Sequence, residues 1–459
     1  MASGAVVNLT EGKVSNHVLR MLGPFSIAVI ALISTGIVDT IYLGNLIDVS
    51  RPNLGRFALA ALGVAFPITF VGNSVNIGLG AGTMSAISRA LGQGDYQKAK
   101  RHGAAAIMFG LLIMTCLISF LYLLMPLLLG LTNESNEVLK MAKDYLVISL
   151  PGLAIVSVAM MSNNILRAGG EALLPSSIMI TGAVINIILD PFLIFGWGPF
   201  PRLEVQGAAL ATVVGNVIAA LFGLYVILYH RKAVTFVNMT KGSIVRAWSI
   251  IGRVAIPAAG TNAIVPVSAW IAVLIISNTL TTADLAAFTV ASRAELISVG
   301  LLYALSACVG AITGQNGGAG YTVRVRSAFI FCYWICILWS TFMAVILAFF
   351  AVDIASIFSN DPEVVSKTIS YFYIVPITIF AYGFVFISAA GFNALGRPIY
   401  GLVYTIIRSL ILYILFIYIG VHLDGLRGAF FGMALANIIS GLTAASWSLL
   451  KAPMTAKKS

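Results

Sequence analysis

The chain has 459 residues, of which 59% are hydrophobic and only 9% are charged, and its formal net charge is +11. Soluble domains carry about 25% charged residues, so this composition excludes an ordinary soluble enzyme and indicates a polytopic membrane protein. The positive charge is spread over the loops between apolar segments, so nucleic acid is not an expected partner.

In chain order, twelve apolar segments reach the roughly 20 residues that a helix needs to cross a bilayer. The lipid bilayer is therefore the expected surroundings of the chain. The sequence predicts an all-α polytopic membrane protein with transmembrane helices near residues 18–43, 57–81, 102–130, 140–163, 174–196, 206–230, 248–278, 284–313, 325–352, 366–393, 397–421 and 425–450.

The basic residues predict the orientation of these helices. Most Lys and Arg residues lie at the N-terminus and in the loops after the even-numbered spans. Positive residues favour the cytoplasmic side, so both termini are predicted to be cytoplasmic in the cell (inner) membrane. The N-terminus has no small-residue cleavage pattern of a signal peptide, so the first span is expected to remain.

Several passages occur once in each half of the chain, which indicates a duplication. An even number of spans per half gives both halves the same orientation, as in parallel repeats. We expect two pseudo-symmetric six-helix lobes, residues 1–230 and 248–459, joined by a cytoplasmic linker at residues 231–247. The matched segments are residues 145–151 with 371–376, 166–170 with 393–397, 207–211 with 428–432, and 91–94 with 313–316.

The first lobe carries two acids in apolar spans, Asp39 in span one and Asp190 in span five. A carboxylate at the centre of a membrane helix costs about 2.5 to 3.5 kcal/mol, so such residues usually mark an ion or substrate pathway. The repeat places Ala272 and Ile417 opposite them. This asymmetry favours a chemical role, although a buried pair that only fixes helix packing remains an alternative.

The predicted topology brings polar side chains from several spans to the depth of the two acids. Asn186 lies one helical turn before Asp190 on the same face, and Thr212 and Tyr145 lie at similar depth in spans six and four. Two carboxylates in a low-dielectric site cannot both stay ionised without cost. With amide and hydroxyl oxygens beside them, they suit H⁺ or a hard alkali ion such as Na⁺.

Four further features have competing interpretations. Met179 shares the helix face of Asp190 and could contact apolar ligands, but a Met at this spacing is more often core. Pro24 could bend span one or serve packing. Asn163 is expected in a loop or cleft floor, away from the acids. Arg293 and Glu295 are expected to form a structural ion pair, local or with a neighbouring helix.

No motif supports enzyme chemistry or a cofactor. The Gly-rich residues 92–95 and 314–318 lack the spacing of a nucleotide-binding loop and are interpreted as tight cytoplasmic turns. The four histidines lie at span ends without a catalytic or metal constellation, and the four cysteines lie inside apolar spans. The protein is predicted not to be an enzyme.

Together these segments resemble the multidrug and toxic compound extrusion (MATE) family, and more closely its DinF-like prokaryotic branch. The resemblance covers nearly the whole chain. It lies in residues 38–40, 88–92, 163–169, Asn186 with Asp190 and Pro191, residues 207–212, and residues 314–316. The acid that a NorM-like member carries in span seven has no counterpart between Trp248 and Asn278, which argues against that arrangement of the ion site.

The resemblance implies a twelve-helix antiporter that exports lipophilic, often cationic compounds in exchange for H⁺ or Na⁺. It assigns cation binding to the positions of Asp39, Asn186, Asp190 and Thr212. It assigns a neighbouring polar network to Tyr145 and Asn163 and a hinge to Pro24. A monomer is expected. The alternative is a lipid-linked precursor flippase of the same superfamily, which should line its cleft with cationic residues.

Overall fold

The computed structural model describes residues 7–48, 51, 53–132, 134–358 and 361–456, and these residues form helices joined by short turns. The helices are α1 Val14–Gly44, α2 Leu54–Gly92, α3 Tyr96–Gly130, α4 Asn136–Ala168, α5 Leu173–Phe195, α6 Val205–Tyr225, α7 Lys241–Thr279, α8 Thr282–Gly318, α9 Thr322–Phe349, α10 Ala351–Phe358, α11 Pro362–Ile374, α12 Ile379–Ala394, α13 Pro398–Thr405 and α14 Tyr413–Ala456.

Local sequence signals explain several helix starts. Ser135 accepts a hydrogen bond from the backbone of Val138 and so caps α4. Thr281 and Asp284 form a reciprocal capping box at the start of α8. Asp361 caps α11, whose first residue is a proline. Each device satisfies backbone N–H groups that the first turn of a helix leaves without partners.

The last two predicted spans form one long helical stretch with a break in its middle. Pro398–Thr405 continues through a π-helical turn, Ile406–Leu412, into α14. Asp424 (φ −147°, ψ 35°) and Gly425 (φ 55°, ψ −138°) leave the helical conformation and divide α14 into two arms. Counting these arms separately, the described residues confirm twelve long apolar helices in an all-α fold.

Two predicted details are wrong. Residues 314–318 are not a turn, because α8 continues to Gly318 and the turn follows at Ala319 and Gly320. The structure pairs Gly94 with Gly320, since both follow the end of a helix with φ +77°. The sequence match of residues 91–94 to residues 313–316 is therefore misplaced by about one helical turn. In addition, the short helix α10 was not predicted.

The chain forms two compact units. Among the described residues, one unit comprises those within 7–8, 23–91 and 95–259, and the other those within 9–22, 92–94 and 260–456. Both α1 and α7 are therefore shared between units. Within α1 the chain passes from one unit to the other after Leu22, close to Pro24. Within α7 it does so after Ala259, close to Pro257. The predicted lobes, residues 1–230 and 248–459, stay a prediction from the sequence repeat.

Glycines set the close packing of α5 on α6 in the first unit. A Cβ atom on Gly215 would lie 2.6 Å from the carbonyl oxygen of Gly182 and 3.4 Å from the Cβ of Asn186. Only glycine allows the two backbones to approach so closely, as is common where membrane helices pack through small residues. This contact holds the polar face of α5 against α6.

Candidate cation-binding site

The two predicted acids meet in the first unit. Asp39 comes from α1 and Asp190 from α5, and their carboxyl groups lie within hydrogen-bonding reach of each other. Asp190 is fully buried. Neither carboxylate has a proton to donate when ionised, so a hydrogen bond between the pair requires a proton on one of them. The geometry thus allows the pair to carry a proton.

Asn186 links the acids to α6. Its Nδ2 atom lies 3.4 Å from Oδ1 of Asp190 and 3.2 Å from Oγ1 of Thr212, and Asp39 also reaches its side chain. The spacing of Asn186 and Asp190 places both on one face of α5, and the Gly182–Gly215 contact brings that face to Thr212. Tyr145 of α4 lies close enough to interact electrostatically with both acids.

Three buried oxygens of this cluster lack a donor. Oδ1 of Asp39, Oδ2 of Asp190 and Oδ1 of Asn186 have no hydrogen-bond partner among the described residues. Buried polar atoms are otherwise nearly always paired, so each such oxygen needs an explanation. Carboxylate, amide and hydroxyl oxygens are the ligand types that suit hard cations. The cluster fits either a proton or an alkali ion that these oxygens would hold.

The other predicted residues lie elsewhere in the unit. Asn163 is buried near the far end of α4, and its Oδ1 also lacks a partner among the described residues. Met179 lies about 16 Å along α5 from Asp190 by helical rise, and its sulfur is 2.9 Å from Nη2 of Arg167. Pro24 lies inside α1, which continues through it.

A second polar cluster, which the sequence analysis missed, lies in the second unit and is called here the Arg408 cluster. Arg408 is only 4% exposed. Its Nε and Nη2 donate to Oδ1 of Asn437 at 3.2 and 2.9 Å, and its Nη1 donates to Oγ of Ser409 at 3.2 Å. The other members of the Arg408 cluster are Glu295, Tyr371, Tyr382 and Tyr413.

Of the two alternatives expected for Arg293 and Glu295, the local ion pair is wrong, whereas Glu295 does have an electrostatic partner on another helix. Residues two positions apart lie on different faces of a helix, and the electrostatic partner of Glu295 is Arg408. Acids in the membrane are therefore not confined to the first lobe. The rule that singles out Asp190, an ionisable residue inside an apolar span, would also have singled out Arg408 within residues 397–421.

Comparison with known proteins identifies the family. The MatE family profile matches residues 24–192 and again residues 257–419, once in each half. The chain belongs to the MATE family. The double match begins at Pro24 and at Pro257, as the duplication predicts. Proteins of the MATE family are secondary transporters, so the chain is a membrane transporter and not an enzyme.

Similar proteins carry two kinds of name. A "FAD transporter" of Shewanella oneidensis is 30% identical over 438 residues, covering 95% of this chain and 94% of that protein. A "Probable multidrug resistance protein NorM" of Thermotoga maritima is 26% identical over 339 residues, covering 72% and 69%. The structure of the Vibrio cholerae MATE transporter VcmN in the bent form gives a TM-score of 0.88 at 26% identity, covering 97% and 98%.

Proposed function

We propose that this MATE protein is an exporter driven by inward movement of H⁺ or Na⁺ through the Asp39–Asp190 pair. The observation that supports this is the meeting of two membrane acids beside buried oxygens without donors. A cation that loads the pair neutralises charge that is costly in a low-dielectric surrounding. We place the protein in the inner membrane with both termini on the cytoplasmic side. A cation that moves inward down the membrane potential then releases about 2.3 kcal/mol per elementary charge for each 100 mV.

Cation loading would be coupled to substrate release by alternating access. Asp39 lies on the same helix as Pro24, which removes a backbone hydrogen bond from α1. Neutralising Asp39 changes its interaction with Asp190 on α5 and thereby the relation of α1 to its neighbours. A bend of α1 at Pro24 would then transmit the neutralisation of Asp39 to the rest of the helix. Pro24 keeps its predicted role as a hinge.

Two substrate classes are proposed. The similarity to proteins named for multidrug resistance supports lipophilic, often cationic compounds. The similarity to a protein named a FAD transporter extends over nearly the full length of both chains and supports a flavin dinucleotide. The alternative of a lipid-linked precursor flippase is less well supported, because the polar residues of the first-unit site are acids and amides rather than cations.

The test uses proteoliposomes loaded with ethidium or flavin adenine dinucleotide and driven separately by Na⁺ and pH gradients. Asp39→Asn and Asp190→Asn should reduce gradient-driven transport to the rate seen without a gradient, because an amide cannot take up a proton or neutralise a cation. Asp353→Asn, the same change at an exposed acid of α10, should transport at the parent rate. Unchanged transport by either site variant would refute the proposal.

A further inference from the structure

The Arg408 cluster occupies a place in the second unit that the repeat relates to the first-unit cation site. Tyr371 matches Tyr145, which lies beside the two acids. Asn437 matches Asn216, which donates to the backbone oxygen of Thr212 in the first-unit site, because each asparagine stands at the same spacing after the repeated glycine, Gly428 or Gly207. The duplicated scaffold therefore has a buried polar site in both halves, but the residues that fill the two sites differ in charge.

Aromatic rings surround the ionic groups of the Arg408 cluster. The guanidinium carbon of Arg408 lies 3.4 Å from the ring centroid of Tyr382 and 5.5 Å from that of Tyr413. Glu295 interacts electrostatically with Tyr371, Tyr382 and Tyr413. Tyr371, Tyr382 and Tyr413 are themselves buried, so these rings enclose one fixed positive and one fixed negative group.

The polar groups of the cluster are only partly used by the protein. Glu295 and Arg408 form no ion pair within 4.0 Å among the described residues, although Arg408 is close enough to act electrostatically on Glu295. The hydroxyl of Tyr371 is fully buried and has no hydrogen-bond partner there. Arginine has five N–H donors, more than Asn437, Ser409 and Tyr382 use.

One side of the cluster is open. Glu295 is partly exposed, and Tyr303, farther along the same helix and within electrostatic reach of Glu295, is 43% exposed. A carboxylate against acyl chains is costly, so this face of α8 is suited to water or a ligand rather than lipid. The open face gives a ligand access to the carboxylate first and to the buried guanidinium behind it.

Charge decides which ligand suits this arrangement. A cation at Glu295 would be repelled by Arg408, and an isolated phosphate would be repelled by Glu295. An uncharged ring adds no net charge to the opposite charges of Glu295 and Arg408. It can still form a hydrogen bond with each of these two groups. A planar ring can also stack on the exposed ring of Tyr303, because aromatic rings gain from offset stacking. The polar edge of such a ring must present donors and acceptors together.

We propose that the Arg408 cluster binds the substrate's planar, uncharged heteroaromatic ring, with an edge N–H donated to Glu295 and an edge carbonyl accepting from Arg408. This proposal rests on the proposed export function and names the substrate class as flavin-like. The isoalloxazine ring has such an edge, an N–H between two carbonyl groups. The exposed ring of Tyr303 stacks on the substrate ring, and the first-unit acids supply the ion coupling.

The test measures quenching of riboflavin fluorescence by purified protein in detergent, without an ion gradient. Riboflavin carries the ring but no phosphate, and 3-methylriboflavin lacks the edge N–H. Wild-type protein should bind the methylated ring about tenfold more weakly, the usual loss for a hydrogen bond to a charged group. A double variant, Glu295→Gln with Arg408→Gln, keeps the cluster neutral and should bind riboflavin at least tenfold more weakly without discriminating between the two ligands.

Two controls separate binding from folding. Arg427→Gln changes an exposed arginine of α14 and should leave riboflavin binding unchanged. Tyr371→Phe removes the hydroxyl without a partner, so it should weaken riboflavin binding several-fold while the melting temperature does not fall. A structural role for that hydroxyl would instead lower the melting temperature.

The outcomes are distinct from those of the transport test. Absence of riboflavin binding, equal binding of the methylated ring, wild-type binding by the double variant, or displacement of riboflavin by ethidium would each overturn the proposal. Asp39→Asn should bind riboflavin like the wild type, because its defect lies in ion coupling. Loss of riboflavin binding in Asp39→Asn would place the ring at the first-unit acids and overturn the assignment to the Arg408 cluster.

Discussion

Asn186 shows at the scale of one residue how the proposed cation site is arranged. Its amide nitrogen faces Asp190 and Thr212, while its oxygen has no donor among the described residues. The side chain therefore orients neighbouring oxygens with one end and offers a further ligand with the other. Residues that orient ligands commonly change affinity as much as the ligands do.

Asn186→Ala is expected to raise the Na⁺ or H⁺ concentration needed for half-maximal transport by about 10- to 100-fold, because one ligand and the support of two others are lost. The measurement is transport rate in proteoliposomes against ion concentration. Asn45→Ala, at an exposed asparagine that contacts only the backbone of α1, is the matched control. An unchanged ion requirement in Asn186→Ala would show that the amide takes no part in ion binding.

At the scale of helices, the two copies of the repeat place different residue types at a position with positive φ. Glu204 before α6 has φ 52°, and Gly425 in the break of α14 has φ 55°. Each stands at the same spacing before the repeated glycine, Gly207 or Gly428. Glycine adopts this conformation without strain, whereas glutamate does not. The carboxylate of Glu204 forms ion pairs with Arg51 and Arg202, which offset this strain.

Comparing Glu204→Gly with Glu204→Ala separates strain from ion pairing. Both variants lose the ion pairs, but only glycine removes the unfavourable positive φ, which costs of order 1 kcal/mol or more. Glu204→Gly should therefore melt at a higher temperature than Glu204→Ala in a thermal unfolding assay. Equal melting temperatures would mean that the loop relaxes and stores no strain at this position.

The contact between α5 and α6 gives a second prediction for helices. Gly215→Ala places a Cβ 2.6 Å from the carbonyl oxygen of Gly182, and overpacking of this kind costs typically 1–3 kcal/mol. The helices must separate, so thermal stability and ion affinity should fall together. Gly63→Ala, where nothing lies within 4 Å of the added carbon, should be neutral or stabilising. A stable Gly215→Ala with parent ion affinity would contradict this account.

At the scale of the whole molecule, residues 9–12 are held by residues more than 300 positions away. Arg324 donates to the carbonyl oxygens of Leu9, Glu11 and Gly12 and to Oδ1 of Asn316. Gln315 and Asn316 bind the backbone of Leu9. The Gly-rich motif that resembles a turn in the sequence thus serves as a helical binding surface for the N-terminal segment.

Arg324→Gln should loosen this segment. Hydrogen bonds to charged groups contribute about 1.5–3 kcal/mol each, so tryptic cleavage after Lys13 should accelerate by about tenfold or more. Arg326→Gln, an exposed arginine on the same helix, should be cleaved at Lys13 at the parent rate. Identical cleavage in both variants would mean that other contacts hold the segment.

The sequence by itself determined the features that depend on local composition and on the cost of burial. Hydropathy located the twelve spans, because every spanning helix must be apolar over its own length. The free-energy cost of a carboxylate inside the membrane identified Asp39 and Asp190 as candidate site residues. Helix periodicity then placed Asn186 on the same face as Asp190. These properties can be obtained from short stretches of chain, and the structure brings those residues together.

The tertiary structure decided what depends on helices distant in sequence. Arg408, Glu295 and Asn437 come from three remote segments, so no local pattern could pair them. The position of the turn at Gly320 also depended on packing, because a glycine-rich stretch is compatible with both helix and turn. Periodicity fixes which face of a helix a side chain occupies, but only packing decides what that face meets.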